Sequence, residues 1–450
     1  MKLQFAITAA LLSLNVIPHL EAQKSDSGVS MTLQQCIDYS LINNAQNKLS
    51  AYDYKQAKWD EKKLRSYVLP HISLDGKFEN YMKLPVLIIP GEILGEPGMN
   101  IPVEFGTQYN INAAVQVSQL LYNQSFFTSR EMARKASEIT GLGIEKTREE
   151  VSAEIAHLYW YAVATREQIR ILNKTKDNID QLYSLTELQF DNGLIKASDL
   201  KKMEVNSNNL SVQVMNLENL YSEQISMLKF ISGLPECISL VPSDSLNTSY
   251  FQFMHNNTIE GIPELMILEK KQEMDLLAIK ANRQEYLPTL TAFGSYAYQA
   301  QREEFDMFKS GDDKWFEIGV VGINLSIPIL NGFERNCKIQ HSKIEYDKTR
   351  LQAKNALRHF NTEYQNANYT WTSSRNSMEM QQENLRLART LYNHTRNEYL
   401  EGISSLADLV MAQNSLLEAE SLYTSSLLKL RIAEIDLIKA SGNMHLLITK

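Results

Sequence analysis

Across residues 404–441 a large side chain recurs every seven positions, at Leu409, Leu416, Tyr423, Leu430 and Leu437. Three places after each stands a small one: Ala412, Ala419, Ser426, Ala433 and Ala440. This large–small heptad predicts a helix packed closely against a neighbour in a left-handed supercoil. Residues 196–232 repeat the pattern less neatly, with Leu200, Ser207, Val214, Tyr221 and Leu228. Elsewhere the period is two. Ile72, Leu74, Gly76 and Phe78 alternate with Ser73, Asp75, Lys77 and Glu79, and Tyr109, Ile111, Ala113, Val115 and Val117 alternate with mostly polar partners. Both stretches predict strands with one apolar and one polar face. Residues 289–298 and 316–327 alternate less regularly, and the second changes phase near Val320 and Val321.

Glycine and proline mark the ends of the elements. No Pro lies between Pro102 and Pro235 or after Pro328, and neither Gly nor Pro lies between Gly332 and Gly402. These are the two worst helix formers, so clean stretches of this length predict long helices, over 124–190 and 333–400. At 1.5 Å per residue each would run roughly 100 Å. Shorter helices are predicted over 33–69, 196–232, 262–287 and 404–441, ending at "VLP", "ISGLP", "EYLP" and "ASGN".

The pattern is written twice. Gly193 is followed by Asp199 and Leu200 as Gly402 is by Asp408 and Leu409, an offset of 209 residues. Gly233 and Gly442 each come 40 residues after those glycines. The pairs Leu69-Pro70 and Leu287-Pro288 lie 218 apart, so the first hairpin carries the longer loop. The organisation expected is a first repeat over 23–236, a connecting segment over 237–261, a second repeat over 262–442 and a tail over 443–450. Each repeat reads helix, β-hairpin (71–118 and 289–327), long helix, glycine turn, helix. The fold class is mainly α with a small β part.

The N-terminal residues "MKLQFAITAALLSLNVIPHLEA" have a positive start, a short apolar core and a small residue at the end. They predict a secretory signal peptide over 1–22. No later stretch of about 18 apolar residues predicts a spanning helix. Cys36, Cys237 and Cys337 are odd in number and irregular in spacing, which fits packed thiols better than a disulfide frame. The net charge of -8 argues against a nucleic-acid partner. Scattered His, and no P-loop, G-x-S-x-G or dinucleotide fingerprint, argue against an enzyme and against a cofactor or bound metal.

Four strands of this length allow two readings: hairpins lying on the helices in water, or strands crossing a bilayer. In the second, four strands are too few to close a barrel, and an open edge in lipid leaves backbone groups unpaired. Several copies would then share one barrel, with Asp75, Lys77 and Glu79 facing a water-filled lumen.

The opening "MTLQQCIDYSLINNAQ", the pair "YVLPHISLDG" and "EYLPTLTAFG", the pair "VSQLLYN" and "LSIPILNG", and the two Gly–Asp–Leu turns occur in this order across nearly the whole chain. In this respect it resembles the TolC-type outer-membrane efflux family. The resemblance implies a homotrimer with a twelve-stranded β-barrel in outer-membrane lipid of a Gram-negative bacterium, continued by a helical tube in the periplasm. It implies a passive exit duct that docks on a periplasmic adaptor and an inner-membrane pump to export small molecules. The same architecture serves type I protein secretion, and a soluble periplasmic coiled-coil scaffold is the rival of another class. It further implies that Gly193, Leu194, Ile195, Gly402, Ile403 and Ser404 form the tips that meet the adaptor. Asp408 stands where an acidic ring would line the entrance, and Tyr399 and Asp199 where gate-bracing partners would be. Asp408 also fits a helix cap with Ser405. Met411 and Ser404 depart from the family pattern, at the places of a second ring acid and a bracing Arg.

Overall fold

The computed structural model describes residues 29–448 except 94, 96–97, 194, 247–260 and 306–314. The expected signal peptide, Leu194, most of the connecting segment and the middle of the loop after the third expected strand therefore lie outside the described residues. In chain order the elements are β1 (Val29–Met31), α1 (Leu33–Asn43), α2 (Ala45–Ser66), β2 (His71–Asn80), β3 (Val86–Pro90), β4 (Asn100–Glu104), β5 (Tyr109–Tyr122) and α3 (Gln124–Asp191). They continue with α4 (Ala197–Ser232), β6 (Leu240–Pro242), α5 (Pro263–Gln284), β7 (Thr289–Arg302), β8 (Trp315–Ser326), α6 (Glu334–Leu400), α7 (Leu406–Ala440) and α8 (His445–Ile448).

The four long strands form one antiparallel sheet in the order β2-β5-β7-β8. Each hairpin pairs internally, and β5 against β7 joins the two repeats. Strands β2 and β8 are left as edges. The helices make a wall continuous with this sheet. Near the sheet, α3 lies between α2 and α5: Tyr54 abuts Gly141, and Lys135 and Lys146 pair with Glu273 and Glu264 at 2.7 and 3.0 Å. Farther away it lies between α4 and α7, with Ser207 donating to Asp180 at 2.6 Å and His157 facing Asp436 at 3.0 Å. Helix α6 packs on α5 and then on α7. The order across the wall is thus α2-α3-α5-α6 next to the sheet and α4-α3-α7-α6 beyond it. Its free sides are α2 with α4, and α6.

The heptad of α7 is its buried face: Leu409, Ala412, Leu416, Ala419, Leu430, Ala433 and Leu437 are all buried. Where the chain crosses the middle of the wall, a short parallel pair, β1 with β6, clasps it. The Tyr159 hydroxyl lies 2.8 Å from the Asp244 carboxylate and 3.0 Å from the Met31 carbonyl, while the Leu33 N–H donates to the same carboxylate at 2.9 Å. Cys36 is buried in the cluster beneath; burial, reinforced by the Asp244 charge, pushes its thiol up to about 12. It is therefore an inert packed thiol.

Two expectations need correction. The helix expected over 33–69 is two helices. Asn44 ends α1 and starts α2, its side chain accepting from the Asn47 N–H at 3.0 Å and donating to the Ile231 carbonyl at 2.6 Å. The longer loop expected in the first hairpin contains the ribbon β3–β4, with Val86 opposite Glu104 and Pro90 opposite Asn100.

Gly233 explains why the break at Asn44 is tight. Its φ is +73°, and a Cβ there would stand 2.7 Å from the Asn43 carbonyl oxygen. Gly233→Ala is expected to lower the unfolding free energy by about 1–3 kcal/mol, because a left-handed alanine and a backbone collision are combined. A shift in the denaturation midpoint of the purified protein checks it; an unchanged midpoint would mean that the Asn43 turn yields freely.

Candidate functional site

Three regions hold the residues singled out by the sequence: the helix tips, the start of α7 and the polar face of the sheet. At the tips, Gly193 has φ +72° and Gly402 +77°, with open space around each. Only the backbone conformation, not crowding, demands glycine at these two positions. The Gly193 N–H donates to the Phe190 carbonyl at 2.8 Å, and the Gly402 N–H to the Tyr399 carbonyl at 3.0 Å. The N–H groups of Ile403 and Ser404 share the Glu398 carbonyl, at 2.8 and 3.2 Å. This closes the α6–α7 turn and leaves Ile403 73% exposed. Leu188 and Leu400 are also exposed, Ile195 is half-buried, and together they give the tips an apolar character.

At the start of α7, Ser405 and Asp408 form a complete capping box. The Ser405 hydroxyl accepts from the Asp408 N–H, and the Asp408 carboxylate accepts from the Ser405 N–H, both at 3.2 Å. The Ser405 hydroxyl also lies 2.5 Å from that carboxylate. These bonds, the hydroxyl's first, hold the Asp408 carboxyl below the usual carboxylate range. The carboxylate is fully exposed, on the same side of α7 as Met411, Asn414, Ser415 and Glu418. Capping and exposure to a solvent-filled entrance are therefore compatible at this residue.

Because its folded pKa is depressed, the Asp408 charge and the cap it makes are present above the ordinary Asp pKa. They are lost only as pH falls through the lower folded value. Cation preference in planar bilayers is thus expected to stay level from neutral pH down to about 4, and Asp408→Ala to reduce it throughout that range. A preference that already fades near pH 6 would show like charges raising this group, and an Asp408→Ala protein with unchanged preference would remove it from the entrance.

Tyr399 and Asp199 are not brought together. The Tyr399 hydroxyl donates to the Gln189 side-chain oxygen at 3.3 Å and so ties the end of α6 to the end of α3. Asp199 pairs with Lys202 on its own helix at 3.0 Å. Gln189 was not singled out by the sequence. The duplication held the clue: Tyr399 lies 209 residues after Phe190, which places Gln189 at the matching tip.

In the sheet, Asp75, Lys77 and Glu79 share one face, opposite Ala114, Asn112 and Asn110 of β5, which face Ala297, Gln299 and Gln301 of β7. Lys77 and Glu79 are paired at 2.7 Å. The other face carries Ile72, Leu74 and Phe78 against Val117, Val115 and Ile111. Strand β8 switches: Val321, Ile323 and Leu325 lie on the apolar face, but Phe316, Ile318 and Val320 on the polar one. The phase change leaves Glu317 on the apolar side, where the hydroxyls of Tyr296 and Tyr298 bond to it. The Glu317 carboxylate is therefore satisfied by two phenols.

The described chain thus combines a sheet with two open edges, one apolar and one polar face, with a wall of roughly 100 Å helices ending in exposed turns. The class it defines is a duplicated long-helix protein with a four-stranded antiparallel sheet at one end. Residues 256–443 match the family model described as outer membrane efflux protein. The chain is 19% identical over 418 residues to the probable efflux pump outer membrane protein TtgC of Pseudomonas putida, covering 91% of this chain and 82% of that one. Its fold resembles the Campylobacter jejuni CmeC outer membrane channel, with a TM-score of 0.74 at 17% identity over 91% of this chain and 85% of that. It also resembles the Vibrio cholerae outer membrane protein VceC, with a TM-score of 0.72 at 13% identity over 91% and 96%. Residues 256–443 thus carry the sequence pattern of outer membrane efflux proteins, and the whole chain has the fold of these outer-membrane channels.

Proposed function

We propose that this protein is the outer-membrane exit duct of a tripartite efflux system. It provides a passive path for small molecules and docks through its tips on a periplasmic adaptor, and through that on an inner-membrane pump. The observation that carries the reading is the pair of unpaired edges, β2 and β8, on a sheet with one apolar face. In lipid each unsatisfied backbone group costs several kcal/mol, so the edges must pair with other copies. Three copies give twelve strands. At about 4.8 Å between strands and a tilt near 40°, such a barrel is about 24 Å across, wide enough for a wet lumen lined by Asp75, Lys77 and Glu79.

The helices extend the same logic. The free sides of the wall, α2 with α4 on one flank and α6 on the other, continue below the two strand edges, so one rotation closes barrel and tube together. The contact is head-to-tail and forms a ring. In this reading Asp408 lines the entrance, the Tyr399–Gln189 bond braces the closed tips, and Asp199 supports its own helix start. Nothing in the duct performs chemistry.

Single-channel recording of the purified protein, with native mass measured on the same sample, tests the proposal. Three chains per particle and a stable aqueous conductance are expected. A water-soluble single chain without pore activity would overturn it in favour of a periplasmic scaffold.

A further inference from the structure

Charge is segregated along the helical wall. Four helix ends adjoin the sheet: the C-termini of α2 and α5 and the N-termini of α3 and α6. The twelve terminal residues at these four ends together hold 13 Lys and Arg and 7 Asp and Glu. The twelve-residue windows at the opposite, tip ends of α3, α4, α6 and α7 hold 4 and 7, and the whole chain is at -8. The helix dipole accounts for cations at the C-termini of α2 and α5. It opposes Arg335 in the first turn of α6 and has faded by Lys338 and by Arg130 and Arg134 of α3, so it does not account for the cations at these two ends.

Part of this charge is spent internally, as in Arg65 with Glu61 at 2.5 Å and Lys338 with Glu334 at 3.0 Å. Among the described residues, Lys62, Lys63, Arg130 and Arg283 have no acidic group at ion-pair distance, and all four are exposed. Lys62 stands 4.2 Å from the ring centre of Trp59, itself exposed. Between this collar and the strands lies an apolar girdle. Leu69, Tyr286, Leu330 and Phe333 are exposed there, and Ile329 is 92% exposed.

Lys63, Arg130 and Arg283 are six to eight residues from the nearest strand residue, which is about 12 Å at helical rise. A headgroup layer of about 6 Å and a screening length of about 8 Å bring them within reach of lipid phosphates. Aromatic and aliphatic side chains at the hydrocarbon edge with cations just outside them are the arrangement that holds an anionic lipid surface.

We propose that this basic collar, with the girdle above it, binds the phosphate headgroups of anionic phospholipids in the periplasmic leaflet, so that phosphatidylglycerol gathers around the duct in preference to phosphatidylethanolamine. The inference rests on the barrel reading, which puts the strands in the membrane.

The test uses the full-length protein in vesicles of phosphatidylethanolamine containing a minor share of pyrene-labelled phosphatidylglycerol or, separately, pyrene-labelled phosphatidylethanolamine. Energy transfer from tryptophan reports which lipid is near. The expected enrichment of phosphatidylglycerol is about fivefold or more, since one surface cation is worth about that factor. It should fall towards unity in high salt and in Lys62→Gln/Lys63→Gln/Arg130→Gln/Arg283→Gln, which keeps Trp59. Equal transfer from both lipids, or full enrichment in the fourfold variant, would refute the collar. So would loss of enrichment on adding inorganic phosphate but not chloride at matched ionic strength, which would mark a free-anion site. Pore formation in neutral lipid confirms that the variant is folded, and the salt series on the unaltered protein stands independently of it. Failure of the unaltered protein to insert into any vesicle would instead sink the barrel reading, and the collar with it.

Discussion

A protein carrying Val205→Asp and Val212→Asp is expected to run as single chains and to conduct no current. Both residues are exposed and lie one heptad apart on α4. Each follows by two positions a buried residue of the α3–α4 core, Met203 or Leu210, so it points to the far side of the helix, which is a free edge of the wall. The other free edge has the same design. Met378 of α6 is buried against Leu427 and Leu430, while Met380, two residues on, and Leu387, a heptad further, are exposed. If copies close head-to-tail, these two apolar rows meet at every joint. Two carboxylates per joint, buried without partners, would each cost several kcal/mol, and a ring repeats that cost at each contact. Native mass spectrometry of the detergent-solubilised protein decides it: a particle still containing three chains, with normal conductance, would show that the tube closes through other surfaces.

The second large effect is expected at the tip. Gly402→Leu should abolish export while leaving insertion, assembly and conductance nearly intact. A Cβ at Gly402 meets no atom within 4 Å among the described residues and its φ is +77°, so a leucine there costs about 1–2 kcal/mol, chiefly as backbone strain. That is too little to unfold a protein of this size, but it displaces the turn that presents Ile403 and Ser404. Drug accumulation in cells, compared with outer-membrane content of the protein, separates the two outcomes. Export at the normal level with Leu at 402 would mean that this tip is not the adaptor contact.

Much of this fold is local and could be read from the chain. Helices of 67 and 68 residues need an absence of proline and few glycines; α6 has neither residue, and α3 has no proline and only Gly141 and Gly143 within it. The positive φ at Gly193, Gly233, Gly402 and Gly442 is likewise a property of single residues, and the sequence punctuates each helix end with it. The cap of α7 is written within four residues, Ser405 to Asp408. Even the phase change in β8 was visible as a run of Val320 and Val321, although its meaning was not.

The break at Asn44 escaped the sequence because Asn is tolerated inside helices. It becomes a boundary here because the end of α4, 187 residues away in the chain, supplies the Ile231 carbonyl to its side chain. The Tyr399–Gln189 bond spans 210 residues, the β1–β6 clasp is only three residues on each side, and the pairing of β5 with β7 unites two repeats. None of these has a periodic signature, since each is a meeting of surfaces. The sequence by itself determined the long helices and the four long strands, their duplication and their turns, because periodicity and backbone freedom act within a few residues. Only the tertiary structure decided which helices are neighbours, which strands remain edges and which way Glu317 faces, because lateral packing selects among long-range partners that local chemistry leaves equivalent.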